Sequence, residues 1–165
     1  MVLERVLRHL LVTRWHVNRA FPADTLRAIE KAIRENHRTH VGQIRFAVEG
    51  ALHIGALLEG MSAQERAIDV FSELRVWDTE HNNGVLIYLL LADHDVEIVA
   101  DRGAHARINS GEWDAICRQM EAAFKLGDYR AGVLRGIEEV TALLKRHFPA
   151  QQETHDELPS KPAVL

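Results

Sequence analysis

Val85–Leu91 reads VLIYLLL, seven residues with no charged or small polar position on either strand face. Alternate residues of a strand point to opposite sides, so a run apolar on both needs cover above and below. A second apolar run, Val96–Ala100, follows closely, and the pair predicts a β-hairpin over a two-residue Asp93-His94 loop. That loop pairs Leu91 with Val96, Tyr88 with Val99 and Leu86 with Asp101. It places Asp101 and Arg102 beside Asn82 and Asn83, at the end opposite the turn.

The flanking segments supply the cover. Leu3–Val17 predicts a helix with Leu3, Leu7, Leu10, Leu11 and Trp15 on one face and arginines, His9 and His16 on the other. Packing its apolar face on the domain would leave the arginines in water. A basic amphipathic helix also suits an anionic membrane surface. Phe21-Pro22 ends this helix, and Asp24 caps another that reaches about His37 and buries Leu26, Ile29 and Ile33. Gln43–Glu49 alternates like a half-buried strand, while Ala51–Gly60 has no clear assignment. Ser62 and Glu65 have capping-box spacing and open a helix that buries Ala67, Ile68, Phe71 and Leu74 and ends near Trp77. Strand, helix, strand in this order makes Gln43–Glu49 and Val85–Leu91 parallel. Asn109 or Ser110 caps a helix with Trp113, Ile116, Met120 and Phe124 inward. After Gly127-Asp128 comes a last helix burying Val133, Ile137, Val140 and Leu144. The expected organisation is a basic helix over 1–20, an α/β domain over 21–148 and a disordered tail over 149–165.

Length and composition set outer bounds. A chain of 165 residues suits one domain with a sizeable core. A net charge of −4 offers no global basic field for nucleic acid. The single Cys117 excludes an internal disulfide and a cysteine-rich zinc site. Met1–Ala20 lacks the uninterrupted apolar core of a signal peptide, and Val85–Leu91 is far too short to span a bilayer. A soluble cytoplasmic protein is the expectation.

Few motifs carry chemistry. Asp93-His94-Asp95 after an apolar strand has the look of the Asp-x-Asp of haloacid-dehalogenase-type phosphatases. The strand that follows at once leaves little room for a phosphate loop, and turn chemistry accounts for both residues. Cys117 lies mid-helix as a small packed side chain. His37 and His40, three apart in a loop without a third ligand, read as solvated. The richest constellation is at the other end of the hairpin. Asp78, Glu80, Asn82 and Asp101 are hard oxygen ligands whose spacing suits Ca²⁺ or Mg²⁺. Arg102 and a helix N-terminus at Ser110 add groups that attract phosphate.

Four segments together resemble the TPM-domain family: IRFAVEG, SAQERAIDVFSEL, NNGVLIYLLLADHDVEIVADRG and AAFKLGDYRAGVLRGIEEV. The resemblance covers about residues 24–148. It implies a three-layer α/β/α sandwich around a short mixed β-sheet, a phosphatase activity and a Ca²⁺ site. Many family members read Asp-Asn-Gly before the central strand where this chain has Asn82-Asn83-Gly84. That change removes one charged ligand, which Asp78, Glu80 or Asp101 must then replace.

Two functions follow. In a metal-assisted phosphomonoester hydrolase, Asp78, Glu80, Asn82 and Asp101 hold the cation, Asn83 positions substrate and Arg102 stabilises phosphoryl charge. In a non-catalytic interaction domain, the basic helix recruits the protein to a membrane surface or a membrane-anchored protein partner.

Overall fold

The computed structural model describes residues 2–150 and 155–165. Its centre is a four-stranded mixed sheet in the order β3-β2-β1-β4. Strand β1 (Gln43–Glu49) runs parallel to β2 (Gly84–Leu90), as strand-helix-strand order requires, and β3 (Asp95–Ala100) is antiparallel to β2. Strand β4 (Ala163–Val164) lies parallel to β1 on its outer side. Every residue of β2 is buried, which is what VLIYLLL demands.

Helices cover both faces, giving the three-layer α/β/α sandwich. On one face Ile44, Phe46, Val48, Val85, Ile87 and Leu89 form a single core with three long helices. These are α3 (Ala23–Asn36), α7 (Ser110–Lys125) and α8 (Tyr129–His147). Each inward set expected for α7 and α8 is buried. On the other face Ala47, Leu86, Tyr88 and Leu90 pack against α4 (Ile54–Leu58) and α5 (Ala63–Glu73). Ser62 and Glu65 close the expected capping box on α5. Ile68 is exposed and Val70 is buried in its place, because α5 presents the Ala63, Ala67, Val70 stripe to the sheet.

The hairpin differs from expectation in register. Leu89 faces Val96, Leu86 faces Val99 and Val85 faces Ala100, two residues away from the predicted pairing. The loop is Leu91–His94, a 3₁₀ turn closed by His94 in the left-handed region at φ 52°. A two-residue slip is even, so each side chain keeps its face of the sheet. Strand β1 is nearly all buried rather than half-buried, since both helical layers and β4 enclose it.

Two terminal segments also depart from the reading above. The N-terminal helix is broken at Val12-Thr13 into α1 (Val2–Leu11) and α2 (Arg14–Ala20). Part of the expected disordered tail, residues 151–154, lies outside the described residues. Residues 155–165, expected without regular structure, instead lie along the sheet. Gln43 holds them there: its Oε1 accepts from the amides of Glu157 and Leu158, and its Nε2 donates to the His155 carbonyl. Arg45 donates to the carbonyls of Pro159 and Lys161, and Leu158 is buried.

Candidate functional site

The two ends of the sheet differ in kind. At the amino ends of β1 and β2, the expected backbone juxtaposition is present. The Asp101 amide donates to Gly84 O at 2.8 Å and the Gly103 amide to Asn82 O at 2.8 Å. Close approach requires both glycines: a Cβ on Gly84 would strike Val76 O, and one on Gly103 would lie 2.6 Å from Asn82 O.

The side chains there do other work. Asp101 Oδ1 accepts the Arg102 amide at 2.7 Å and caps α6 (Arg102–Arg107). Its second oxygen is buried without a partner among the described residues. Asn83 is fully buried; its Nδ2 donates to Val41 O at 2.9 Å, and its Oδ1 has no partner among the described residues. Asp78 is exposed and paired with Arg75 at 2.9 Å. Glu80 is exposed, and its amide donates to Glu157. Asn82 is exposed in a left-handed conformation, and Arg102 is exposed. Among the described residues no group of three or more His, Cys, Asp or Glu side chains could hold a metal ion. Asp78, Glu80 and Asp101 are thus neighbours in chain position without converging as ligands. The N-terminus of α7 is also committed, because Asn109 Oδ1 accepts the Gly111 amide at 2.8 Å.

Burial replaces the solvation expected for His37 and His40. His37 Nε2 accepts the Ile44 amide and its Nδ1 lies 2.8 Å from Asp156 Oδ1. His40 is fully buried, and burial pushes it down to about 4.

At the carboxyl end of β2 the polar groups converge. Asp93, in the 3₁₀ turn, faces Arg5 Nε at 2.9 Å, His9 Nε2 at 3.1 Å and Arg8 Nη2 at 3.3 Å. Arg5 also donates to Met61 O at 2.8 Å, and His9 Nδ1 accepts the Leu52 amide at 2.9 Å. An acceptor at Nδ1 places the ring proton on Nε2, which sits beside the carboxylate but makes no hydrogen bond among the described residues. Asp93 is therefore a fastening for α1. A carboxylate ringed by two arginines and a histidine has no freedom to attack phosphorus.

This fastening turns α1 over. Its Arg5 and His9 face the domain, whereas Leu3, Leu7, Leu10 and Leu11 are 79%, 56%, 55% and 62% exposed. Trp15 on α2 is 59% exposed, with Arg19 stacked on its ring at 5.2 Å. Of the two expectations for this helix, the one that packs these apolar residues inward and leaves the arginines in water does not hold. Periodicity identifies the two faces of a helix but not which one meets the fold, and Asp93 decides it here. The signal available was Arg5, Arg8 and His9 at helical spacing with an acid directly after the central strand.

A profile of the TPM domain matches residues 18–143. No curated protein matches the chain. Among solved structures, the fold is similar to the NMR structure of BA42 protein from the psychrophilic bacteria Bizionia argentinensis. The two share 30% identity over 88% of this chain and 95% of that one, with a TM-score of 0.77.

Proposed function

The chain belongs to the TPM-domain family, and from that premise we propose that this member is a non-catalytic docking domain. It is recruited through α1 and α2 to an anionic membrane surface. One observation carries this reading: α1 is fastened by its polar side, with Leu3, Leu7, Leu10 and Leu11 pointing outward. A contiguous exposed apolar face of this kind marks an interaction surface.

Charge selects the partner. Residues 2–20 hold four arginines against Glu4 alone, and Arg8, Arg14 and Arg19 are exposed beside the leucines. Exposed Trp with Arg around an aliphatic face is the composition of helices that lie in the bilayer interface. No described helix is long and apolar enough to cross a membrane. Co-sedimentation with phosphatidylglycerol-containing vesicles tests the reading. The intact protein should pellet at low salt, pellet less at moderate salt, and stay in solution as Leu7→Glu/Leu11→Glu. Failure of the intact protein to pellet at low salt removes the membrane as partner.

The second reading, metal-assisted phosphomonoester hydrolysis, draws on the unpartnered buried oxygens of Asp101 and Asn83. A Ca²⁺ or Mg²⁺ ion beside Asp101 would satisfy one of them. The arrangement fits poorly: Asp78 would have to leave Arg75, and Glu80 would have to turn inward. Aryl-phosphate hydrolysis that requires added metal and is lost in Asp101→Ala would support this reading over docking alone.

A further inference from the structure

Beneath the outward-facing helices lies a cavity of about 560 Å³, within the roughly 300–1,000 Å³ usual for small-molecule sites. It opens where Leu91 and Ala92 leave the carboxyl end of β2, the side of a parallel sheet at which α/β folds commonly hold ligands. One wall comes from the N-terminal segment through Leu11, Val12 and Ala20, and the other from Leu91, Ala92 and Tyr129. These walls are apolar. The charged and imidazole groups lining it are Arg8, His16, Arg19 and His94, and among the described residues no carboxylate lines the cavity.

The rim groups are not equally available. Arg8 already shares Asp93 with Arg5 and His9. His94 Nε2 is 3.1 Å from the Tyr129 hydroxyl, and the two rings stack. His16 Nδ1 accepts the Thr13 amide at 3.2 Å, which leaves its Nε2–H as a donor. Arg19 has no carboxylate partner among the described residues, and its stacking on Trp15 leaves the guanidinium edge free. One uncommitted guanidinium with an imidazole N–H nearby matches a single carboxylate, whose two oxygens fit the guanidinium fork. The apolar walls match an alkyl chain.

We propose that this cavity binds a single-chain amphiphilic carboxylate, with its head at Arg19 and His16 and its chain between Leu11, Val12 and Leu91. The site goes beyond the docking reading and does not depend on vesicle binding. Each CH₂ that the walls enclose strengthens binding by up to about fourfold, so chain length sets the affinity. The anionic head selects among amphiphiles.

Titration of the full chain with decanoate, followed by ¹H–¹⁵N NMR, tests the proposal. Saturable shifts are expected at Ala92, His94 and Gly127, with Arg19→Gln weakening decanoate about tenfold. Decanol should bind wild type about tenfold more weakly than decanoate and be indifferent to Arg19→Gln. Decyl phosphate separates the head groups: binding tighter than decanoate would overturn the carboxylate assignment. Ala20→Phe, which fills the cavity while keeping every charge, should abolish the shifts in a protein whose spectrum is otherwise folded. Three results overturn the site. They are no saturable shift, equal response to decanol and decanoate, or shifts confined to Leu3 and Leu7 on the outer face.

Discussion

His9 Nε2 lies 3.1 Å from Asp93 Oδ2 across 84 residues of chain, joining the first helix to the turn that ends the central strand. The same imidazole accepts the Leu52 amide, so one side chain ties α1 both to that turn and to the loop after β1. Replacing the carboxylate leaves Arg5 and Arg8 without their shared counter-charge. Asp93→Asn should cost about 2 kcal/mol, less than a fully buried pair because Arg8 is exposed. Urea denaturation measures the loss. Faster amide exchange confined to α1 would show that the helix is released before the domain unfolds.

Gly84 stands where β2 passes against the Val76 carbonyl. A methyl group there meets backbone, which cannot rotate aside as a side chain would. Gly84→Ala should therefore destabilise by about 3 kcal/mol, at the severe end for overpacking. Gly60, in open space, is the control for glycine loss near a helix end, and Gly60→Asn should cost far less. Equal costs would mean that the Val76 contact relaxes.

The segment 155–165 rests on Gln43, which is buried and bonded to three backbone groups of the returning chain. Gln43→Leu keeps most of the volume and leaves the Glu157 and Leu158 amides unpaired. The expected loss is about 2 kcal/mol, with exchange protection falling first at Glu157, Leu158 and Leu165. Unchanged protection at those amides would assign the docking to Arg45 and Leu158 instead.

Buried His40 and half-buried Glu97 oppose each other as pH changes. Burial, with His37 adjacent, moves His40 from 6.5 to about 4. The unfolded chain thus binds the proton more readily, and stability falls as pH drops from about 6.5 to 4. His37, also lowered by burial though Asp156 resists it, acts in the same direction. Burial, then Asp95, Glu121 and Asp114, raise Glu97 from 4.5 to about 7. Its contribution is complete below about 4.5 and lost as pH rises through 7, the reverse trend. Wild type should show a shallow Tm profile between these limits. Glu97→Gln should steepen the loss on acidification, and His40→Leu should flatten it. Profiles unchanged by both substitutions would show that neither group titrates in this window.

The layers were legible because their signals are local. The unbroken apolar run of β2, the Ser62-Glu65 box and the inward stripes of α7 and α8 each need only neighbouring residues. The hairpin faces survived an incorrect loop length because the slip was even. Polar contacts between distant residues were not legible. Gln43 captures a tail with no periodicity of its own, and Asp93 chooses which side of α1 faces inward. At the proposed cation site, chain proximity correctly brought Asn82 and Asn83 to Asp101. It carried no information on where the oxygens point, and Asp101 caps a helix while Asn83 reaches toward Val41.

The borders of the sheet have a consequence for how copies of the protein can meet. On one side β3 runs beside α7, with Glu121 accepting the outward Val96 amide at 3.3 Å. On the other, β4 is only two residues long. A strand as apolar as VLIYLLL would template fibrils if its ladder could be extended. The Glu121 carboxylate thus occupies an amide that an added strand would need, which hinders a neighbour's backbone from extending the ladder along β3.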